Sequence, residues 1–101
     1  MIIYNVTINI DGDVHEDWLH WMKETHIPDV MGTGMFVEYR FARVLSEHAD
    51  EGFTYSIQYL LNDIGDYEIY RTAYAPGLQA ETEKRYKDKF VAFRTLLKTV
   101  E

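Results

Sequence analysis

Apolar and polar residues alternate along the first ten positions, which read M-I-I-Y-N-V-T-I-N-I. A spacing of two places Tyr4, Val6 and Ile8 on one face and Asn5 and Thr7 on the other, which is typical of a strand with one buried face. Comparable runs predict three more strands, at about Met35 to Leu45, at Phe53 to Leu61 and at about Phe90 to Val100. The polar residues 46–52 predict a hairpin loop between the second and third strands.

A helix is predicted between the first two strands, because apolar residues recur three and four positions apart over W-L-H-W-M-K-E-T-H. Asp13 followed by Glu16 resembles a capping box, so we expect the helix to begin at about Val14. Pro28 has no N–H to donate, so it predicts a kink or a frayed end from His26 onward. The glycines of G-T-G then end the helix.

A second helix follows the third strand. Asn62 or Asp63 is placed to cap it, and tyrosines recur at three- and four-residue spacings from Tyr67 onward. Pro76 and Gly77 are expected to break this helix, with the polar residues 79–89 continuing as helix or turn.

The predicted order is β-α-β-β-α-β, which is the ferredoxin-like, α+β arrangement of a four-stranded antiparallel sheet with two helices on one face. We expect one domain over residues 1–101. Strand parity predicts which residues face the helices: Tyr4, Val6, Ile8, Val37, Tyr39, Phe41, Tyr55, Ile57, Tyr59, Val91 and Phe93. It predicts that the opposite, open face holds Asn5, Thr7, Glu38, Arg40, Ser56, Gln58 and Arg94, edged by Phe36, Leu60, Phe90 and Leu96.

The open face combines charged groups with large apolar residues at its rim. An antiparallel sheet can leave such a face in water. We favour a second copy of the chain packed sheet against sheet, because a homodimer also covers the apolar rim. The sequence therefore predicts a dimeric α+β barrel.

Three blocks of sequence carry a resemblance to a known family: W-L-H-W-M-K-E-T-H-I-P-D-V-M with its G-M-F exit, T-Y-S-I-Q-Y, and F-V-A-F-R-T-L-L. Together with the order of elements, they resemble an uncharacterised bacterial domain-of-unknown-function family, number four-two-eight-six, in the dimeric α+β barrel superfamily. The resemblance implies sheets paired face to face in a homodimer. The superfamily includes haem-degrading and quinol monooxygenases, lactone isomerases, polyketide cyclases and stress-response proteins. The family itself provides no chemistry to assign to residues of this chain.

His26 is the main candidate for chemistry. It lies on the apolar face of the first helix, near the Pro28 break, where a tyrosine beneath it (Tyr4, Tyr55 or Tyr59) would form a pair suited to proton transfer. The other interpretation is a structural histidine, bonded to a tyrosine hydroxyl or to a carbonyl that Pro28 leaves without a partner.

Two further groups are candidates for ligand binding. Trp18 and Trp21 would form an apolar wall for a flat ligand, unless Trp18 packs in the core and Trp21 covers an edge. Met22 shares the apolar helix face with Trp18. Four residues, Glu38, Arg40, Gln58 and Arg94, would either bind a carboxylate inside the barrel or form a salt-bridge network between subunits.

Composition excludes several classes of function. The hydrophobic content of 47% indicates a globular protein, and the net charge of −7 repels phosphate backbones and anionic membranes, so we expect no nucleic-acid and no membrane partner. RNA-binding domains share the topology, but the aromatic residues of G-F-T-Y-S-I-Q-Y fall on the helix-covered face, where bases cannot stack. The histidines lack metal-ligand spacing and G-T-G follows a helix instead of opening one, so we expect no metal and no cofactor.

The chain has no cysteine, and its N-terminal stretch has no basic region typical of a signal peptide, so we expect a cytoplasmic protein. The function predicted is binding of a small, partly aromatic or carboxylated metabolite by a homodimer, with cofactor-free turnover by His26 left open. The alternative is a structural or protein-interaction homodimer with no ligand site. A self-satisfied network of Arg40, Arg94 and their neighbours favours that alternative, whereas unpaired arginines around a cavity favour a ligand.

Overall fold

The computed structural model describes residues 1–45 and 52–100. Four strands, β1 (Ile2–Ile10), β2 (Glu38–Arg43), β3 (Phe53–Leu61) and β4 (Phe90–Lys98), form an antiparallel sheet in the order β2-β3-β1-β4. Two helices connect them in the order β-α-β-β-α-β, so the predicted α+β, ferredoxin-like fold is confirmed. The second strand is shorter than predicted. The predicted hairpin loop lies outside the described residues, except for Gly52.

Each helix contains one π-helical turn. A 3-10 turn at Gly12–Val14 leads into helix α1, which is α-helical over His15–Trp21, π-helical over Met22–His26 and α-helical again over Ile27–Met31. Helix α2 repeats this pattern, with an α-helix over Ile64–Ile69, a π-helix over Tyr70–Tyr74 and an α-helix over Ala75–Tyr86.

The π turns explain why neither proline breaks its helix, contrary to the prediction. The N–H of Ile27 donates to the carbonyl of Met22, five residues back, and Pro28 follows immediately. Ala75 and Pro76 repeat this arrangement in α2. A proline ring normally clashes with the carbonyl four residues before it, and the wider π turn moves that carbonyl away. Both helices therefore continue past their prolines.

The helix ends differ in part from the prediction. Asp63 caps α2, since its carboxylate accepts a hydrogen bond of 3.0 Å from the N–H of Gly65, as predicted. Asp13 makes no cap on α1 and instead pairs with Lys89 at 2.8 Å. After α1 the chain reverses through Gly34, whose φ of 79° is a left-handed conformation that glycine adopts without strain.

The core lies between the helices and one face of the sheet. Alternate residues of β1 and β3 are buried on that face, and each strand contributes four: Tyr4, Val6, Ile8 and Ile10, and Tyr55, Ile57, Tyr59 and Leu61. Trp18 and Met22 of α1 pack against them and are almost fully buried. Each such side chain contributes about 1.5–3 kcal/mol through the hydrophobic effect.

The predicted parity of β4 is wrong. In the antiparallel register Arg94 lies opposite Val6 and Leu96 opposite Tyr4, so both residues share the helix-covered face. Val91 and Phe93 point the other way and are 70% and 60% exposed. This strand has apolar residues on both faces, so periodicity does not identify its inward face, and the pairing with β1 does.

Phe36 is a second correction. It was expected at the rim of the open face, but it is buried and stacks with Tyr4 at a ring distance of 6.1 Å, and it meets Tyr70 at 4.8 Å. Val37, expected among the helix-facing residues, is 53% exposed and precedes β2.

Candidate functional site

Two adjoining cavities lie between the helices and the sheet. The inner cavity, beside His26, Met22 and Tyr59, has a volume of about 30 Å³. The outer cavity, beside Tyr67 and Arg71, has a volume of about 150 Å³. Both are lined by the same four residues, which mark the boundary between them: Tyr4, Tyr70, Gln79 and Arg94. A buried water needs about 10–15 Å³, so the inner cavity admits water and little else, whereas the outer cavity has room for an organic group.

The π turns place residues at these cavities. His26 is the last residue of the π turn in α1 and Tyr70 is the first residue of the π turn in α2. Both line the inner cavity. A π turn shifts the side chains that follow it around the helix axis, which is one reason such turns recur at functional sites.

His26 is partly buried, and its imidazole stacks on Trp21 with ring centres 4.9 Å apart. Loss of hydration lowers its pKa to about 4; Asp29 opposes the change and the charge of Arg94 adds to it. The ring is therefore neutral at pH 7 and able to accept a proton. Within residues 1–45 and 52–100 its side chain forms no hydrogen bond, so neither the predicted tyrosine pair nor the bond to a free carbonyl is present.

Tyr4 and Arg94 are joined directly. Nε of Arg94 donates to Oη of Tyr4 over 3.1 Å. Arg94 forms no ion pair with any residue of the described part of the chain, and its terminal nitrogens form no hydrogen bond there. Arg71, the other arginine at the outer cavity, is already paired with Glu68 at 2.9 Å. Arg94 is thus the cation at this site whose charge is not neutralised.

The tyrosines at the site remain protonated. Burial raises the pKa of Tyr4, of Tyr59 and of Tyr70, and neighbouring phenols contribute to the increase. Arg94 opposes it at Tyr4. The hydroxyl groups are therefore hydrogen-bond donors at neutral pH, and with Arg94 they provide several donors around one small volume.

Four of the predicted site residues, apart from His26, line the inner cavity: Tyr4, Met22, Tyr59 and Arg94. Tyr55 and Trp18 lie towards the other end of the core, where their rings are 5.1 Å apart. Tyr55 hydrogen-bonds to Nε2 of His15 over 2.7 Å. Burial lowers the pKa of His15, so its imidazole is neutral at pH 7, and its tautomer decides which of the two groups donates.

The histidine–tyrosine pair expected at His26 is thus formed by His15. A signal for it was present in the sequence, because His15 lies three residues before Trp18, in the same apolar stripe.

The predicted group of Glu38, Arg40, Gln58 and Arg94 is divided between the two faces of the sheet. Arg40 and Gln58 are neighbours across β2 and β3 on the open face, while Arg94 lies under the helices. The four cannot act together in one chain, because the sheet separates them. Tyr70 and Gln79 were not predicted as site residues, since the tyrosine stripe of α2 identified a core face without indicating a cavity.

The described residues contain no group of three or more histidine or acidic side chains placed to hold a metal ion. In the same part of the chain, each helix is too short or too polar to cross a membrane.

The profile of the family described as Domain of unknown function (DUF4286) matches residues 1–100. The chain belongs to this family. Its membership confirms the resemblance carried by the three sequence blocks. No curated protein matches the chain.

Solved structures share the fold at low identity. A variant of MhuD with two manganese protoporphyrin IX bound per active site has a TM-score of 0.71 and 11% identity, and the match covers 100% of this chain and 96% of that one. A variant of SnoaB, a cofactor-independent oxygenase from Streptomyces nogalater, has a TM-score of 0.66 and 12% identity over 99% and 93%. A dimeric ferredoxin-like protein from an uncultured marine organism has a TM-score of 0.70 and 13% identity over 100% and 96%. These similarities establish the fold.

Proposed function

We propose that the chain, as a single domain, binds a small, partly aromatic or carboxylated metabolite in the inner and outer cavities. The observation that carries this proposal is Arg94, a cation at the boundary of the two cavities that no described carboxylate neutralises. Arg94 is exposed, and its terminal nitrogens are available to bind a carboxylate through two parallel hydrogen bonds.

The proposed chemistry is a proton transfer without a cofactor. His26 is a neutral base, Arg94 stabilises negative charge that develops on the ligand, and Tyr4 donates a hydrogen bond that orients it. A proton that leaves the ligand moves to the imidazole of His26, and its electron pair stays on the ligand as an anion beside Arg94.

We further propose that two copies pair through the open face of the sheet, in the cytoplasm. Three large apolar residues of β4, Val91, Phe93 and Leu97, are exposed on this face. Its centre is a polar ladder in which Ser56 donates to Asn5 over 2.6 Å. An exposed apolar strip beside a polar centre is typical of a homodimer interface. The similarity to a protein described as a dimeric ferredoxin-like protein supports the proposal of a homodimer.

One observation favours the alternative of a structural or interaction homodimer. The inner cavity of about 30 Å³ is too small for a metabolite, so the core beside His26 is close to filled. The two functions differ in what Arg94 does, which makes it the residue to test.

A thermal-shift screen of a broad metabolite library separates the two. A ligand at 100 times its Kd stabilises the native state by about 2.7 kcal/mol and raises Tm by several degrees. We expect at least one such compound for the unaltered protein, a lost shift in Arg94→Gln, and an unchanged shift in Arg40→Gln, whose arginine lies on the opposite face. A library without any effect on the unaltered protein favours the interaction homodimer.

A further inference from the structure

We infer that the ligand is a single-ring aromatic monocarboxylate, a benzoate-sized anion whose ring lies in the outer cavity and whose carboxylate binds Arg94. This inference rests on the proposed function and identifies the class of ligand. It is carried by three independent features of the outer cavity, which are its volume, its walls and its charge.

The volume limits the ligand to one ring. The outer cavity measures about 150 Å³. An engineered protein cavity of about that volume holds benzene, so one six-membered aromatic ring is the matching size. The adjoining inner cavity, at about 30 Å³, adds room for one water molecule or one small substituent. A fused bicyclic acid exceeds this matching size, and a porphyrin, with its four pyrrole rings, exceeds both cavities together.

The walls suit a flat ring. The rings of Tyr67 and Tyr70 lie 5.4 Å and 5.6 Å from that of Tyr4 and are inclined to it by 50° and 56°. Rings inclined in this way offer faces and edges to an aromatic guest, which favours stacked and edge-to-face contacts over contact with a saturated ring. Ala75 adds a small apolar surface to the same cavity.

The charge selects one carboxylate. Glu68 neutralises Arg71, which leaves Arg94 as the one uncompensated charge among the described residues lining the outer cavity. Nε of Arg94 is occupied by Tyr4, so its two terminal nitrogens remain for a bidentate carboxylate. A dianion would leave a second negative charge without a partner in a protein whose net charge is already −7.

Gln79 lies with Arg94 at the boundary of the two cavities, and its amide has both a donor and an acceptor. Its amide N–H is therefore placed to donate to the carboxylate that Arg94 binds. A ring substituent across from the carboxylate points away from this boundary, so 4-hydroxybenzoate is expected to bind about as tightly as benzoate.

Isothermal titration calorimetry with benzoate and 4-hydroxybenzoate tests this inference. Four comparison compounds each change one feature of benzoate. Acetate has no ring, and benzyl alcohol has no charge. Cyclohexanecarboxylate has a ring that is not flat, and 2-naphthoate has two fused rings instead of one. We expect each to bind at least about tenfold more weakly than benzoate. Arg94→Gln should weaken benzoate binding by about 10–100-fold, as expected for a lost hydrogen bond to a charged group. Arg94→Lys keeps the charge without the planar guanidinium, so its affinity for benzoate should lie between those of the unaltered protein and Arg94→Gln. The affinity of Arg40→Gln should equal that of the unaltered protein.

The outcomes separate this inference from the proposed function. If 2-naphthoate or cyclohexanecarboxylate binds as tightly as benzoate, or if Arg94→Gln and Arg94→Lys both leave benzoate affinity unchanged while their circular dichroism shows a folded protein, the assignment of ligand class is overturned. A different hit from the library screen then keeps the proposed function. If no compound of the screen and neither benzoate binds at millimolar concentration, both are overturned.

Discussion

The protonation of His26 depends on its surroundings more than on its intrinsic basicity. Its imidazole lies against Trp21 in a space shared with neutral phenols, and the charge of Arg94 further disfavours a second positive charge. The pKa of about 4 means that the folded protein resists protonation of this residue, whereas the unfolded chain accepts a proton at about pH 6.5. The difference makes stability depend on pH.

We predict that the free energy of unfolding decreases by about 3 kcal/mol as the pH falls from 6.5 to 4 because of His26 alone. The sign follows from proton binding: over that range the unfolded state binds a proton that the native state does not. Urea titrations at several pH values should show a shallower pH dependence for His26→Gln. His20→Gln provides the matched substitution, since His20 is an exposed histidine on the same helix.

His15 adds to the same trend, because burial lowers its pKa too. The single variant should therefore retain part of the pH dependence. A titration curve that is identical for His26→Gln and the unaltered protein would show that His26 is hydrated in solution, and the argument for a neutral base at the cavity would be lost.

Individual residues of the site were predictable to different degrees. The helical stripe predicted that His26 faces the sheet, and His26 lines the inner cavity with Tyr4 and Tyr59, although the π turn that holds it departs from the period of 3.6 residues. The sequence could not show that Tyr55 bonds to His15 instead, since that pairing depends on where α1 lies along the sheet.

Among the secondary-structure elements, two glycines test the backbone conformation, because replacing them with alanine should change the stability in opposite directions. Gly52 has a φ of 88°, and a Cβ there would lie 2.7 Å from the carbonyl oxygen of Ile10. We predict that Gly52→Ala destabilises the protein by about 2–4 kcal/mol, since alanine is strained at positive φ and the backbone oxygen cannot move aside cheaply.

Gly77→Ala is the matched substitution. Gly77 lies within α2, and nothing lies within 4 Å of a Cβ placed there. Alanine loses less conformational entropy than glycine in a helix, so we expect a gain of about 0.5–1 kcal/mol. Chemical denaturation measures both variants. A destabilised Gly77→Ala would mean that the helix does not continue past Pro76 as described.

Long, regular elements were predictable, and irregular ones were not. The strict alternation of β1 and β3 gave both strands within a residue of their observed ends. The run F-V-A-F-R-T-L-L has apolar residues on both faces, so only the pairing of Arg94 with Val6 identifies its inward side. Likewise, an X-Pro dipeptide in a helix predicts a break, whereas in the structure a π turn before each proline lets the helix continue.

At the scale of the whole molecule, the corrected parity of β4 strengthens the case for a dimer. Val91 and Phe93 were predicted to be inside, and their exposure moves two large apolar side chains to the open face. That face now carries an apolar strip along one edge strand and a polar ladder at its centre. A two-fold axis that runs parallel to the sheet, just above its open face, would place this strip against the facing sheet of a second copy, where both strips are buried.

Phe93→Glu tests this assembly. In a two-fold interface each substitution is present twice, so the dimer would have to bury two carboxylates without partners, and we expect the dimer Kd to increase by at least about 100-fold. Light scattering after size exclusion should give a mass twice the 11.9 kDa of one chain for the unaltered protein and a single-chain mass for the variant. Ile69→Glu is the control, because Ile69 is similarly exposed but belongs to α2, on the other side of the sheet.

The same pair of variants shows whether ligand binding requires the dimer. The cavities and the open face lie on opposite sides of the sheet. A monomeric Phe93→Glu protein should therefore still bind benzoate, with an affinity within about threefold of the unaltered protein. If dimer and benzoate binding are lost together while the fold is retained, the second copy orders the cavity, and the sheet transmits the effect through β4, the strand that holds both Phe93 and Arg94.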